Sequence, residues 1–238
     1  MKKSILLVVV VVLILTGLFV STPTSTLGTG ILLASNNQLI ALTYLVKNSL
    51  TINVKFPNED DIKAKILEKK SSKFISVLKL EKPPKVERVP LRFSDASIMK
   101  KGDYVFALFY PIANTQEDQH TLKEGNIISM VGANENKRIF QVNFPFQPGQ
   151  SGAPIFNGNG EVIGFALTNQ DLKKVLGVDA PTSTSSGFAL KSSTITGLSE
   201  IRSRNTIGAK SKPLNLSKGL SYFKEGIQKN IVLIETGN

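Results

Sequence analysis

Pro148-Gly149-Gln150-Ser151-Gly152-Ala153-Pro154 is the stretch on which the reading of this chain turns. Glycines on both sides of a serine build a tight turn whose backbone N–H groups can converge on one small pocket beside the hydroxyl. Such a pocket stabilises a developing oxyanion, or simply holds a carbonyl or carboxylate. Just downstream, Asn157-Gly158-Asn159-Gly160 separates Ile155-Phe156 from Val162-Ile163. Asn and Gly accept positive φ at little cost, so this spacing predicts a hairpin directly after the serine.

Working outward from Gly28, short apolar or alternating runs are interrupted by turns: 30–34, 39–46, 50–56, 74–80, 104–110, 127–131, 139–142, 161–167 and 187–190. The pattern is all-β. Pro83, Pro84 and Pro90 mark 83–102 as a linker between two halves, and 168–186 reads as a long polar surface loop near the serine. Ile195, Leu198 and Ile201 suggest a short helix, Leu220, Phe223 and Ile227 a second, and Ile231 to Ile234 a final strand. An α/β-hydrolase elbow is set aside, because Ala153 breaks G-x-S-x-G and Asn157-Gly158 interrupts the helix that should follow.

At 41% hydrophobic and 20% charged residues, the composition is that of an ordinary globular chain. The absence of cysteine excludes disulfides, thiolate metal sites and a cysteine nucleophile. A single histidine, His120, argues against zinc and haem, so no metal and no cofactor are expected. Glu59-Asp60-Asp61 reads as a solvated turn. The net charge of +11 is concentrated in residues 62–101, where twelve Lys or Arg face four Asp or Glu. With no nucleic-acid motif beside it, this is read as a lysine-rich solvated face, with anionic lipid or an acidic protein as the next option and no nucleic acid expected.

Lys2 and Lys3 precede an apolar run from Ser4 to Val20 that, as a helix, would span about 25 Å. The flanking charge places the N-terminus in the cytosol and the rest outside it. Residues 17–22 lack a small-x-small cleavage site, which favours a retained anchor (1–21) followed by a tether (22–27).

Taken in order, the motifs resemble the HtrA (Deg) branch of the trypsin-like serine proteases from about Gly28 to Ile201. Gly28-Thr29-Gly30-Ile31-Leu32 resembles G-S-G-V-I, Phe74 to Lys79 resembles D-I-A-V-L-K, and Lys101 to Val105 resembles V-G-D-W-V. Gln147 to Pro154 follows N-P-G-N-S-G-G-P, Gly160 to Gly164 matches G-E-V-I-G, and Gly187-Phe188-Ala189-Leu190 resembles G-F-A-I. The resemblance implies two six-stranded β-barrels, about 28–95 and 96–201, with the cleft between them and 202–238 as a C-terminal helical extension. It also implies that Tyr44, within Ala41 to Val46, stands at the catalytic histidine, and Phe74 at the aspartate. Only Ser151 survives from the triad.

A phenol with a pKa near 10 is a poor base at neutral pH, and a phenyl ring cannot orient an imidazolium. His120 falls in the segment that the resemblance assigns to the second barrel and is expected in a surface or loop role; Lys47 or Lys73 as base has no support. Nothing beside Ser151 is therefore expected to accept its proton. The resulting expectation is a membrane-anchored, single-pass, extracytoplasmic pseudoprotease that binds a protein or peptide partner, with oligomeric state open. The N–H groups of Gly149 and Ser151, with Gln150 between them, would form a remnant oxyanion hole. The edge at Gly187, Phe188 and Ala189 would add an extended peptide. The alternatives are an active endopeptidase using Ser151 with a displaced base, and a structural subunit of a membrane complex.

Overall fold

The computed structural model describes residues 25–34, 37–57, 59–67, 73–110, 120–179, 185–194, 201 and 216–237. The expected anchor at 1–21, residues 22–24 of the tether and the expected helix around Ile195 and Leu198 lie outside these residues. No helix among the described residues is long and apolar enough to cross a membrane.

Thirteen strands make up the described sheet structure. In the N-terminal half they are β1 (Thr26–Leu32), β2 (Gln38–Leu42), β3 (Thr51–Phe56), β4 (Glu59–Ile66), β5 (Ile75–Leu80) and β6 (Arg92–Phe93). They continue with β7 (Tyr104–Phe109), β8 (Thr121–Ser129), β9 (Ile139–Val142), β10 (Pro154–Asn157), β11 (Glu161–Leu167), β12 (Gly187–Lys191) and β13 (Ile231–Gly237). Among the described residues α1 (Thr43–Val46), α2 (Asn169–Leu176) and α3 (Leu220–Ile227) accompany them.

Alternation decides which faces turn inward. In β3, Ile52, Val54 and Phe56 are buried between more exposed Thr51, Asn53 and Lys55, and in β4 only Ile62 and Ala64 point into the core. The first barrel closes in the order β1-β13-β3-β4-β5-β2. Its sixth stave therefore comes from the far end of the chain: β13 pairs antiparallel with β1, Thr26 opposite Thr236, and with β3, Val54 opposite Ile234. The C-terminal segment, read from sequence as a helical extension outside the barrels, is a structural member of the first one. Asn230, fully buried, fastens its start, donating from Nδ2 to the carbonyls of Leu32 (2.7 Å) and Val89 (2.9 Å).

The second barrel runs β10-β7-β8-β9-β12-β11 and closes through β10 with β11, with β6 added in parallel to β11. Helix α3 docks on it through Phe223, which meets the stacked pair Phe106 and Phe156 edge-on at 5.6 and 5.3 Å. Gly160 closes the β10–β11 hairpin at φ +71°, and a Cβ there would lie 2.6 Å from the Phe223 ring. The turn glycine is thus required by backbone sign and by the helix packed above it.

Several expectations are revised. The 39–46 run is a strand only to Leu42 and then turns into α1. Glu59-Asp60-Asp61 opens β4 rather than forming a turn, and the Glu59 carboxylate accepts from the N–H of Lys85 (3.0 Å). The 168–186 stretch contains α2. His120 lies in the connection just before β8 but is not at the surface: it is buried, and its Nε2 lies 2.9 Å from the carbonyl of Ile231, the first residue of β13.

Burial holds the His120 imidazole below its ordinary value; the nearby Lys224 charge acts the same way, and the Ile231 carbonyl opposes both. The unfolded chain then binds the proton more readily than the folded one. Stability from this residue is full above the ordinary value of about 6.5 and is lost as pH falls below it. Chemical denaturation of His120→Gln should show a flatter decline in unfolding free energy between about pH 7 and 5 than the parent chain. An identical decline in both would remove His120 from the acid response.

Candidate active-site remnant

The serine turn is built where the two barrels meet. Gly149 and Gly152 adopt φ +86° and +90°, a conformation that costs a side-chain-bearing residue about 1–2 kcal/mol. A Cβ on Gly152 would also approach the Thr29 carbonyl to 2.5 Å. From the first barrel, the N–H of Thr29 donates to the Ser151 carbonyl (2.7 Å) and its hydroxyl to the Gly149 carbonyl (3.2 Å). From the second, the N–H of Gly152 donates to Ala166 in β11 (2.8 Å). Gln150 folds back on the turn: its N–H donates to the Gln147 carbonyl (3.0 Å), and its side-chain oxygen accepts from the Gln147 N–H (2.9 Å). Among the described residues no acceptor sits on the N–H of Gly149 or of Ser151, so the pair of donors expected for an oxyanion pocket is unpartnered.

Ser151 is 3% exposed, and its hydroxyl donates to Oδ2 of Asp171. The same oxygen accepts from the N–H (2.7 Å) and the hydroxyl (2.6 Å) of Thr168. The other oxygen, Oδ1, accepts from the Tyr44 hydroxyl. Asp171 is itself 4% exposed, so a buried carboxylate gathers four donors from α1, the serine turn and the start of α2. The expectation that nothing beside Ser151 can take its proton is overturned.

Local sequence explains why Asp171 is there. Thr168 precedes the first turn of α2, and Asp171, three residues on, reaches back to the Thr168 N–H as helix-capping carboxylates do. Leu172 faces the core and Gly177 ends the helix at φ +72°. The helix start sits directly after β11, beside the serine turn that β11 also holds.

Tyr44 lies at the second position of α1, with its hydroxyl on the same carboxylate as that of Ser151. Its phenol is pushed above its ordinary value by burial first, then by the Asp171 charge and the hydrogen bond to it. It therefore acts as a donor to the carboxylate and takes no proton. Lys174 lies 5.9 Å from the centre of its ring. Phe74 stands one residue before β5 and is partly buried; its carbonyl accepts from the Thr43 N–H (2.9 Å), with Lys73 5.7 Å from its ring centre. It brings no polar side chain to the serine. Gly187, Phe188 and Ala189 are not an open edge. They are buried in β12, where all three pair with β9 and Phe188 and Ala189 also pair with β11, so no open strand edge is left for an added peptide.

Two six-stranded barrels with a glycine-flanked serine at their junction define the trypsin-like class. The chain belongs to it: the trypsin-like peptidase domain family matches residues 28–165, more than half its length. Within that class it is HtrA-like. It is 27% identical over 143 residues to a "Probable periplasmic serine endoprotease DegP-like" of Pseudomonas fluorescens, covering 58% of this chain and 28% of that one. It is 24% identical over 166 residues to a "Putative serine protease HhoB" of Synechocystis, covering 68% and 39%. An "Uncharacterized protein y4bJ" of Sinorhizobium fredii is 24% identical over 191 residues, covering 76% and 29%. The chain spans about three tenths to four tenths of the length of these relatives.

Proposed function

We propose that this chain is an extracytoplasmic HtrA-like pseudoprotease, anchored by its N-terminal apolar segment, that serves as a protein-binding or scaffolding module. The observation that carries this reading is the buried Ser151–Asp171–Tyr44 network. A nucleophile needs an accessible oxygen, a base that strengthens as the proton leaves, and a third group to orient that base. Here the oxygen is shielded, and the carboxylate is also held by the Thr168 N–H and hydroxyl and by the Tyr44 hydroxyl, as part of the cap of α2. Substrate could enter only if the start of α2 withdrew, and Asp171 would leave with it.

One observation favours a second reading. The serine hydroxyl does point at a carboxylate, so an endopeptidase using Asp171 as base is the active alternative. The Pseudomonas fluorescens relative named above is described as a periplasmic serine endoprotease, and the lysines ahead of the apolar segment favour the same side of the membrane. Incubating the full chain with unfolded casein separates the readings. No cleavage above that of Ser151→Ala is expected, whereas cleavage that disappears in Ser151→Ala would establish the active alternative.

A further inference from the structure

At the opposite end of β10 from Ser151, a cavity of about 390 Å³ opens between β6, the β10–β11 hairpin and the turn before α3. Arg92, Gly158, Asn159, Glu161, Leu216 and Ser217 line it. We infer that this cavity is a binding site for a carboxylate, held by the guanidinium of Arg92. This inference does not rest on the reading of Ser151, which belongs to a different part of the barrel.

Arg92 is fixed at its base by the parallel pairing of β6 with β11, Arg92 opposite Glu161. A guanidinium carries five N–H donors in a planar fork. Among the described residues only Nη2 finds a protein partner, the carbonyl of Asn159 in the hairpin turn. Nε is buried and has no acceptor. Among the described residues no carboxylate lies within ion-pair distance of Arg92. Glu161 lines the same cavity, but its carboxylate accepts from Asn157 Nδ2 at 3.0 Å, within its own hairpin. An orphaned buried donor is a costly arrangement. A planar anion accepting two parallel N–H bonds, one of them from Nε, satisfies it.

The chemistry favours a carboxylate over a phosphate. Among the described residues a single guanidinium lines the cavity, and Glu161 in the wall repels a second negative charge on the ligand. The carboxylate could come from a chain terminus or from an acidic side chain, and the two sources share the same planar group.

The test is a titration of the isotope-labelled full chain in detergent solution, followed by the Arg92 Nε–H and the Gly158 to Gly160 amide resonances. Acetyl-Gly-Gly presents a terminal carboxylate, N-acetyl-aspartyl-glycinamide a side-chain one, and acetyl-Gly-Gly-amide neither. At least one of the acids is expected to shift these resonances at millimolar concentration, and the amide is not. The acid that binds more tightly identifies the source. Arg92→Lys should weaken that binding about tenfold by removing the bidentate fork. Glu161→Gln, which leaves the guanidinium in place, should tighten it, and this keeps the test decisive if the Arg92 variant folds poorly. Equal shifts with acid and amide, no shift with either acid, or tighter binding of inorganic phosphate than of both acids would overturn the assignment.

Discussion

Ending the chain after Asn230 is expected to abolish cooperative folding, although the deletion removes only the last eight residues. Ile231, Val232 and Ile234 are fully buried, and β13 supplies the ladder bonds between β1 and β3. Burial of each such side chain contributes about 1.5–3 kcal/mol, so the three together match much of the 5–15 kcal/mol that keeps a typical domain folded. Opening the barrel also exposes two unpaired strand edges. Circular dichroism during urea unfolding checks this: the truncated chain should lack a sigmoidal transition, and a transition with an unchanged midpoint would show that the first barrel does not depend on its sixth stave. Ile234→Asp, which keeps the chain length, should fail in the same way because it buries a charge inside that barrel.

Replacing Asp171 by alanine carries the second large effect, a loss of about 3–5 kcal/mol in unfolding free energy. Four donors converge on this one carboxylate, from Ser151, Tyr44 and twice from Thr168. Removing a shared acceptor leaves buried donors unsatisfied, at about 1–3 kcal/mol each. The losses are not additive, because the start of α2 can relax toward water. Thermal and urea unfolding of Asp171→Ala beside Ser151→Ala distinguishes a structural latch from an incidental contact. The aspartate variant should be the less stable of the two, and Ser151→Ala should also fall below the parent, by about 1–2 kcal/mol. A neutral or stabilising Asp171→Ala would mean that the network does not hold the barrels together.

These two positions also show where sequence reasoning reached and where it stopped. The order of strand motifs, the Asn-Gly hairpin and the serine turn were readable because each is written in neighbouring residues. Position 44 could be identified for the same reason, since Ala41 to Val46 aligns with a short motif; the switch from strand to helix at Thr43 is invisible in a continuous apolar run. Strand β4 was obscured because only Ile62 and Ala64 mark its inward face. The partners of β13 were beyond reach: Thr26 opposite Thr236 is a pairing across almost the whole chain, and the local pattern of Ile231 to Ile234 announces a strand without saying where it inserts.

Asp171 is the instructive miss. Thr168-x-x-Asp171 followed by Leu172, Val175, Leu176 and Gly177 carries the capping and stop signals of a short helix, which would have placed α2 within the supposed loop. Even so, the capping pattern specifies a bond to Thr168, and the same carboxylate meets Ser151 and Tyr44 only through the packing of two barrels. His120 was misplaced for a related reason. Its burial depends on the carbonyl of Ile231, 111 residues away.

The central claim, that Ser151 is a structural donor without nucleophilic power, is tested most directly by treating the folded full chain with a fluorophosphonate and reading the mass of the Ser151 peptide. The expected result is no adduct at Ser151 near neutral pH. An adduct on Ser151 that forms in the parent chain and vanishes in folded Asp171→Asn would contradict it, making the carboxylate a working base.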